Sequence, residues 1–562
     1  MQKQLMIGES DFRTLIKQGG LYVDKTDIIQ QLLDQRKRDK VTLFTRPRRF
    51  GKTLTLSMLR YFFSLAHREE FAELFRDTDI MRSKARYRDL AGTKPVIFLT
   101  LKDVKKPTYT SFVDGMRLLM GKLYDTYAVI LRDTELSAWE RDFCQRVAMR
   151  GATENEMQES LQFLTEALAR HYGQPVVLLL DEYDTPLEFA RERGYYSEAV
   201  DFMRNFLSMA LKDNESLYFA VITGVLRIAK ESIFSGLNNL TVSSVANGGY
   251  AAAFGFTTEE VERLAKGCGQ VNKLPELRAW YDGYAFQGVE IYNPWSVLNY
   301  FAHDCVPQAY WANTGSNGLI RDMLSQADAR MWREMQGLMA WQSVVSPIDE
   351  DIVYQHILES HDALYSVLLA AGYLKSVARV PEEPDMYRLA IPNREVRSIY
   401  RREILAAMDA GKGNISSALY GLRTAMEQGD AATFEETLQD ILRKYVSVHD
   451  AARPESFYHG LMLGLLLYFE ADYRLESNRE SGGGRFDIAL FPRKKSLPGI
   501  VLEFKSVNDV ADLAGAAQKA LAQIKDKQYV TAMQKAAVPC TWLYGLAFCG
   551  KHVALASDSE HC

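Results

Sequence analysis

Lys52 stands between Gly51 and Thr53, after one apolar run and before a helical one. A phosphate loop needs that grouping. The glycine lets the backbone curl close to the ligand, the lysine reaches the β- and γ-phosphates, and the hydroxyl binds Mg²⁺. The usual pattern, G-x-x-x-x-G-K-S/T, lacks its first glycine here, and Arg46 stands in its place. Pro47 also fixes backbone shape, so the site reads as working with a modified entrance. A second strand ending in acids must accompany such a loop, and "VVLLLDEYDTPL" (176–187) is one. Asp181 is placed to hold the metal, Glu182 to orient and deprotonate an attacking water, and Asp184 to support the metal shell. A third strand, "LYFAVITG" (217–224), places Thr223 to sense the terminal phosphate. It leads to Arg227, which either stabilises transferred charge or is a surface arginine.

A second constellation lies near the other end of the chain. "RFDIALF" and "GIVLEFKSV" flank a polar turn and read as a hairpin. Asp487 sits on its first strand. Glu503 and Lys505, two apart on the second, project from one face, while Phe504 points to the other, into the core. Two carboxylates beside a lysine suit phosphodiester hydrolysis. Asp487 and Glu503 would hold Mg²⁺ or Mn²⁺, and Lys505 would position water and stabilise the pentavalent charge. An exposed edge strand carrying a surface Glu/Lys pair is the alternative. The apolar helix before the hairpin carries Glu455 and His459, four apart and so on one face. Either would complete a metal shell, though His459 reads rather as a satisfied core histidine.

The elements that must position these residues follow from pattern. Apolar runs at 41–45, 95–101, 175–182 and 217–224 alternate with helical segments, which argues for a parallel sheet covered by helices. Residues 251–450 read as mostly helical and aromatic-rich, a lid and connecting region with room for a winged helix. "WYDGYAF", "YWANTGSNGLI" and "YRLAIPNREV" in that stretch carry no obvious chemistry. Strands return after residue 450. The expected domains are therefore 1–250, 251–450 and 451–562, with α/β folds at both ends.

"GESDFRTLIKQGGLYVDKTDIIQQLL", "RPRRFGKTLTLSML", "LLLDEYDTPL", "TGVLRIAKESIFSGLNNL" and "YNPWSVLNYF" together resemble a bacterial family of AAA-ATPase-like proteins. Members of that family commonly end in a PD-(D/E)XK nuclease-like domain. The resemblance spans nearly the whole chain with the motifs in order, and arginines before the glycine are usual in it. It implies a P-loop NTPase sheet, a restriction-endonuclease-like C-terminal fold, and ATP as the nucleotide. The implied ATP-binding set is Arg46, Pro47, Arg48, Arg49, Phe50, Gly51, Lys52 and Thr53 with Asp181, Thr223 and Arg227. It further implies that a helix after the E-x-K strand supplies a glutamine and a tyrosine to the nuclease site. Gln523 fits that place, whereas Tyr529 lies further along than the usual spacing. The function expected is an ATPase coupled to a metal-dependent nuclease acting on DNA or RNA. The alternative is a regulatory ATPase whose nuclease-like domain binds nucleic acid or a protein without cutting.

Composition sets the outer limits. The 562-residue chain is 47% hydrophobic and 25% charged, with net charge −5. It is an ordinary globular protein, not a basic nucleic-acid glove, so any nucleic-acid grip must be local. The six cysteines form no C-x-x-C pair, so neither zinc nor a disulfide framework is expected. With no signal-peptide pattern and no apolar run long enough to span a bilayer, a cytoplasmic protein without membrane contact is expected. Oligomerisation is left open.

Overall fold

The computed structural model describes residues 4–36, 38–227, 233–234, 240–311, 320, 329–349, 360–409, 415–445, 455–469, 472–477, 480–481, 484–485, 487–526, 533–534, 536 and 538–560. They form two compact units. One comprises residues 1–315 and 345–396, the other 316–344 and 397–562.

The first unit is built on a five-stranded sheet. Its strands are β1 (Val41–Thr45), β2 (Val96–Thr100), β3 (Val176–Asp181), β4 (Leu217–Gly224) and β5 (Leu240–Ser243), in the order β2-β3-β4-β1-β5. All neighbours run parallel. The three central strands are buried on both faces, which is why they read as unbroken Val/Leu/Ile runs rather than alternating ones. Helix α1 (Lys52–Phe63) follows β1. Gly51, at its N-terminus, has φ +86°, a left-handed conformation that glycine enters without a Cβ penalty. Helices α2 (Glu154–Tyr172) and α3 (Tyr196–Leu211) pack together, and Leu161, Leu164, Leu168, Phe202 and Phe206 on them are buried. A reciprocal Thr153/Glu156 capping box starts α2.

The region after the sheet keeps its helices, including α4 (Pro294–Ala302), α5 (His361–Ala371) and α6 (Arg394–Asp409). It also holds two small sheets that the mostly helical expectation did not contain. One has the order β6-β8-β7, from β6 (Phe256–Thr257), β7 (Tyr284–Phe286) and β8 (Val289–Tyr292). The other has the order β10-β11-β9, from β9 (Val344–Pro347), β10 (Lys375–Val380) and β11 (Glu383–Ala390). Most of these strands have only two to four residues and give little periodic signal, and aromatic residues such as Tyr284 and Phe286 fit a helix pattern as well as a strand.

The second unit centres on a mixed sheet. It contains β12 (Tyr473–Ser477), β15 (Ile488–Pro492), β16 (Gly499–Ser506), β17 (Thr541–Cys549) and β18 (His552–Glu560), in the order β12-β15-β16-β17-β18. A separate two-stranded ribbon joins β13 (Glu480–Ser481) to β14 (Gly484–Arg485). β16 runs antiparallel to β15 and parallel to β17, so it is the middle strand and not an edge. Its even-numbered residues, Ile500, Leu502 and Phe504, share a core with α7 (Ile415–Gln428), α8 (Ala431–Tyr445) and α9 (Glu455–Leu466). Val501, on the opposite face, packs with α10 (Leu513–Asp526). That helix lies so close to β17 that a Cβ on Gly545 would come within 2.4 Å of the Ala517 carbonyl and the Leu521 nitrogen.

Cys144, Cys268, Cys305 and Cys549 are free thiols. Cys540 is in a disulfide whose partner lies outside the described residues, a bond that local cysteine spacing could not announce. Among the described residues no helix is long and apolar enough to cross a membrane.

Candidate functional site

Two groups of side chains gather where the sequence pattern placed them, one in each unit. In the first, β1 delivers the loop 46–51 to the start of α1. The Lys52 ammonium is buried and donates to the Arg46 and Pro47 carbonyls at 2.8 and 2.9 Å. Burial pushes its pKa down to about 8, against the pull of Asp184, Asp181 and Glu182. Thr53 Oγ1 donates to Asp181 Oδ2 at 2.8 Å, and Thr223 Oγ1 donates to Asp181 Oδ1 at 2.5 Å. Asp181 ends β3 and is 1% exposed, and burial raises its pKa despite both hydroxyls. One carboxylate is thus held from β1's loop helix and from β4 together.

Glu182 follows at φ +53°, a left-handed conformation that costs a non-glycine residue energy and often marks a functional position. It accepts from Thr185 Oγ1 at 3.2 Å. Asp184, expected in the metal shell, has a structural task. Its Oδ2 accepts the Val225 and Leu226 N–H groups at 2.7 and 2.9 Å, fixing the exit of β4. Burial raises it to about 6. Arg227 lies just beyond that anchor, half-buried.

The arginines before the glycine divide by role. Arg46, expected among the nucleotide ligands, is fully buried. Its guanidinium donates to the carbonyls of Thr45, Ser243 and Tyr250 and to Ser243 Oγ, between the rings of Phe254 and Phe286. It braces the loop from behind, because a buried guanidinium needs several acceptors. Arg48 pairs with Glu188 at 2.6 Å. Arg49 lies 4.2 Å over the Trp295 ring. Phe50 is wedged against Tyr284 and Phe286.

In the second unit, Asp487 precedes β15, and its Oδ2 accepts the Phe504 N–H of β16 at 2.8 Å. Burial raises its pKa, while that N–H, His459 and Lys505 oppose the rise. Glu503 is 3% exposed in the middle strand. It accepts from the Gln523 amide of α10. Lys505 Nζ is 3.7 Å from Glu503 Oε1, its side chain about one-third exposed. His459 of α9 donates through Nε2 to the Asp487 carbonyl at 3.1 Å and meets the Phe504 ring edge-on. It is partly buried and fixes the backbone of Asp487. Glu455 opens α9, but its side chain lies outside the described residues, as do Lys527 and Tyr529.

Both donor sets fit a hard divalent cation in kind. A hydroxyl beside a carboxylate, and one carboxylate before β15 with another within β16, are oxygen donors of the sort Mg²⁺ takes. Among the described residues no group of three or more His, Cys, Asp or Glu side chains gathers as a metal cage. Such ions keep several waters and need few protein ligands.

The sequence reading missed one feature beside the first group. Trp311 Nε1 donates to the Arg48 carbonyl at 3.2 Å, and the Trp311 N–H in turn donates to a buried carboxylate, Glu395. Both residues lie in motifs, "YWANTGSNGLI" and "YRLAIPNREV", that carried no recognisable chemistry.

Residues 6–234 match the family model described as "Predicted AAA-ATPase". Residues 453–557 match that of the "PD-(D/E)XK nuclease superfamily". A relative from Azotobacter chroococcum mcd 1, "Uncharacterized protein in vnfD 5'region", is 28% identical over 546 residues, covering 94% of this chain and 93% of its own. The chain thus joins an N-terminal AAA-ATPase-like domain to a C-terminal domain of the PD-(D/E)XK nuclease superfamily.

Proposed function

We propose that this protein binds and hydrolyses ATP in its first unit and cleaves DNA or RNA phosphodiesters in its second. The observation that most supports the second activity is Glu503, buried in the middle strand, held by Gln523 and 3.7 Å from Lys505. A buried carboxylate is costly unless it is hydrogen-bonded, paired or bound to a metal, and a metal-binding role suits this one. In the first unit the support is Asp181, gripped by Thr53 and Thr223 next to Lys52.

In this reading Lys52 leaves the Arg46 and Pro47 carbonyls for phosphate oxygens, and its buried charge makes that exchange favourable. Thr53 and Asp181 would hold Mg²⁺ in the first site, and Asp487 and Glu503 would hold Mg²⁺ or Mn²⁺ in the second. A cation so bound neutralises charge on phosphoryl oxygens. Glu182 takes the proton of the attacking water. In the nuclease site Lys505 orients water and faces the charge that develops on the scissile phosphate. Gln523 fixes the Glu503 carboxylate, and His459 fixes the Asp487 backbone. The nucleic acid meets this protein locally, since the net charge is −5.

The test is a gel assay with labelled single- and double-stranded DNA and RNA, with Mg²⁺ or Mn²⁺, with and without ATP. Wild type cleaves at least one substrate, and Lys505→Ala loses roughly a hundredfold or more of that rate. Binding of nucleic acid with no cleavage under any condition would leave the second unit a binding module.

A further inference from the structure

Glu395, the second residue of α6, is 0% exposed. It is no part of either site above, yet three donors surround it. Ser296 Oγ lies 3.0 and 2.8 Å from its two carboxyl oxygens. The Trp311 N–H donates to it at 2.8 Å, and the Tyr310 N–H also donates. Burial pushes its pKa up to about 8 against those donors. A buried carboxyl group is costly, and this one sits behind the phosphate loop.

What it holds touches that loop at two consecutive residues. Trp311 donates through Nε1 to the Arg48 carbonyl. Ser296 adjoins Trp295, whose ring carries the Arg49 guanidinium at 4.2 Å. Asn293 caps α4 by accepting the N–H groups of both Trp295 and Ser296. Trp295 Nε1 then donates to the Tyr310 carbonyl at 3.2 Å, which closes the set. Glu395 ties the two tryptophans into one block: Ser296 anchors the first, and the Trp311 backbone anchors the second.

We propose that Glu395 is a positioning residue for the phosphate loop, fixing Trp311 on the Arg48 carbonyl and Trp295 under the Arg49 guanidinium. The proposal rests on reading that loop as the ATP site. Preorganised donors bind phosphate without first being ordered. A loosened loop weakens ground state and transition state alike. That raises KM and leaves kcat in place.

The experiment uses the full chain with Glu395→Gln, Trp311→Phe and the double variant. Trp311→Phe deletes one N–H and keeps an aromatic ring in place, so it serves if Glu395→Gln does not fold. Each single change is expected to raise the KM for ATP roughly tenfold, the worth of one hydrogen bond, with kcat within about twofold. The double variant is expected to be no worse than the poorer single one, because both cut the same connection. An unchanged KM in folded single variants, or fully additive effects, would overturn the proposal. Hydrogen exchange of residues 46–51 in nucleotide-free protein separates this from failure of the ATP reading. If wild type does not bind ATP, the functional reading falls, while faster loop exchange in both variants still supports the positioning role. Unchanged exchange there overturns it.

Discussion

Lys52 is enclosed by its own loop, and its amine is pushed down to about 8 by burial. Below that pH it is an ammonium ready for phosphate. Above it the unliganded lysine is increasingly neutral, so ATP must bring a proton with it. ATP affinity is therefore expected to fall as pH rises from about 8, by up to roughly tenfold per unit until the higher pKa of the bound state is reached. Titrations from pH 7 to 10 would measure this, and a flat profile would place the amine outside the phosphate contact. Glu182 gives a second prediction at this scale. Glutamine has the same shape and the same backbone demand at φ +53°, but it is no base. Glu182→Gln should retain ATP binding and lose about a hundredfold or more in hydrolysis. Equal turnover in the variant would move the base elsewhere. These residues were legible in the sequence because their chemistry fixes their neighbours: lysine after glycine, acids at a strand end. Arg46 was not. An arginine in a basic run looks the same whether its guanidinium faces a ligand or, as here, a set of buried carbonyls. Glu395 was hidden for the related reason that its donors come from segments about 85 and 100 residues away.

The nuclease-like site depends on the packing of one helix on one sheet. α10 brings Gln523 to Glu503 only because β17 has no side chain at position 545. A methyl group there meets helix backbone, which cannot rotate away as a side chain would. Gly545→Ala is thus expected to push α10 off the sheet and destabilise the second unit by about 1–3 kcal/mol. Cleavage should fall with it, since the Gln523–Glu503 bond is stretched. Calorimetry of the variant, read beside the cleavage rate, checks both, and an unaltered transition would show that the helix has slack. Sequence pattern gave the hairpin of β15 and β16 correctly, with Glu503 and Lys505 on one face and Phe504 on the other, but not that α10 covers the face of Glu503. It could not tell a middle strand from an edge. That distinction depends on β17, paired in register from Gly499↔Thr541 onward across some forty intervening residues. The small sheets between residues 256 and 390 escaped for the converse reason. Most of their strands have only two to four residues, and their aromatic residues pack by tertiary contact rather than by period.

At the scale of the whole molecule the question is whether the two proposed activities influence each other. α6 belongs to the first unit through Val396 and to the second from Arg397 onward. Its first turn contains Glu395, which is bonded to Trp311 behind the phosphate loop. A change of the loop on binding ATP therefore has a covalent route into the other unit, through a single helix. Coupling through such an element is typically 5- to 150-fold. The prediction is that the nuclease rate of wild type differs by at least about fivefold between saturating ATP and no nucleotide. Glu182→Gln, which binds ATP without consuming it, should hold the rate at its ATP-bound value instead of letting it decay as ATP is spent. Time courses of cleavage with limiting ATP distinguish the cases. A rate indifferent to nucleotide in both proteins would mean that the units act independently. A rate that follows turnover, and so is absent in Glu182→Gln, would mean that hydrolysis and not binding does the work. The second result would shift attention from the loop's position to Glu182 itself. Wild type and Glu182→Gln bind ATP alike in this reading, and only hydrolysis distinguishes them.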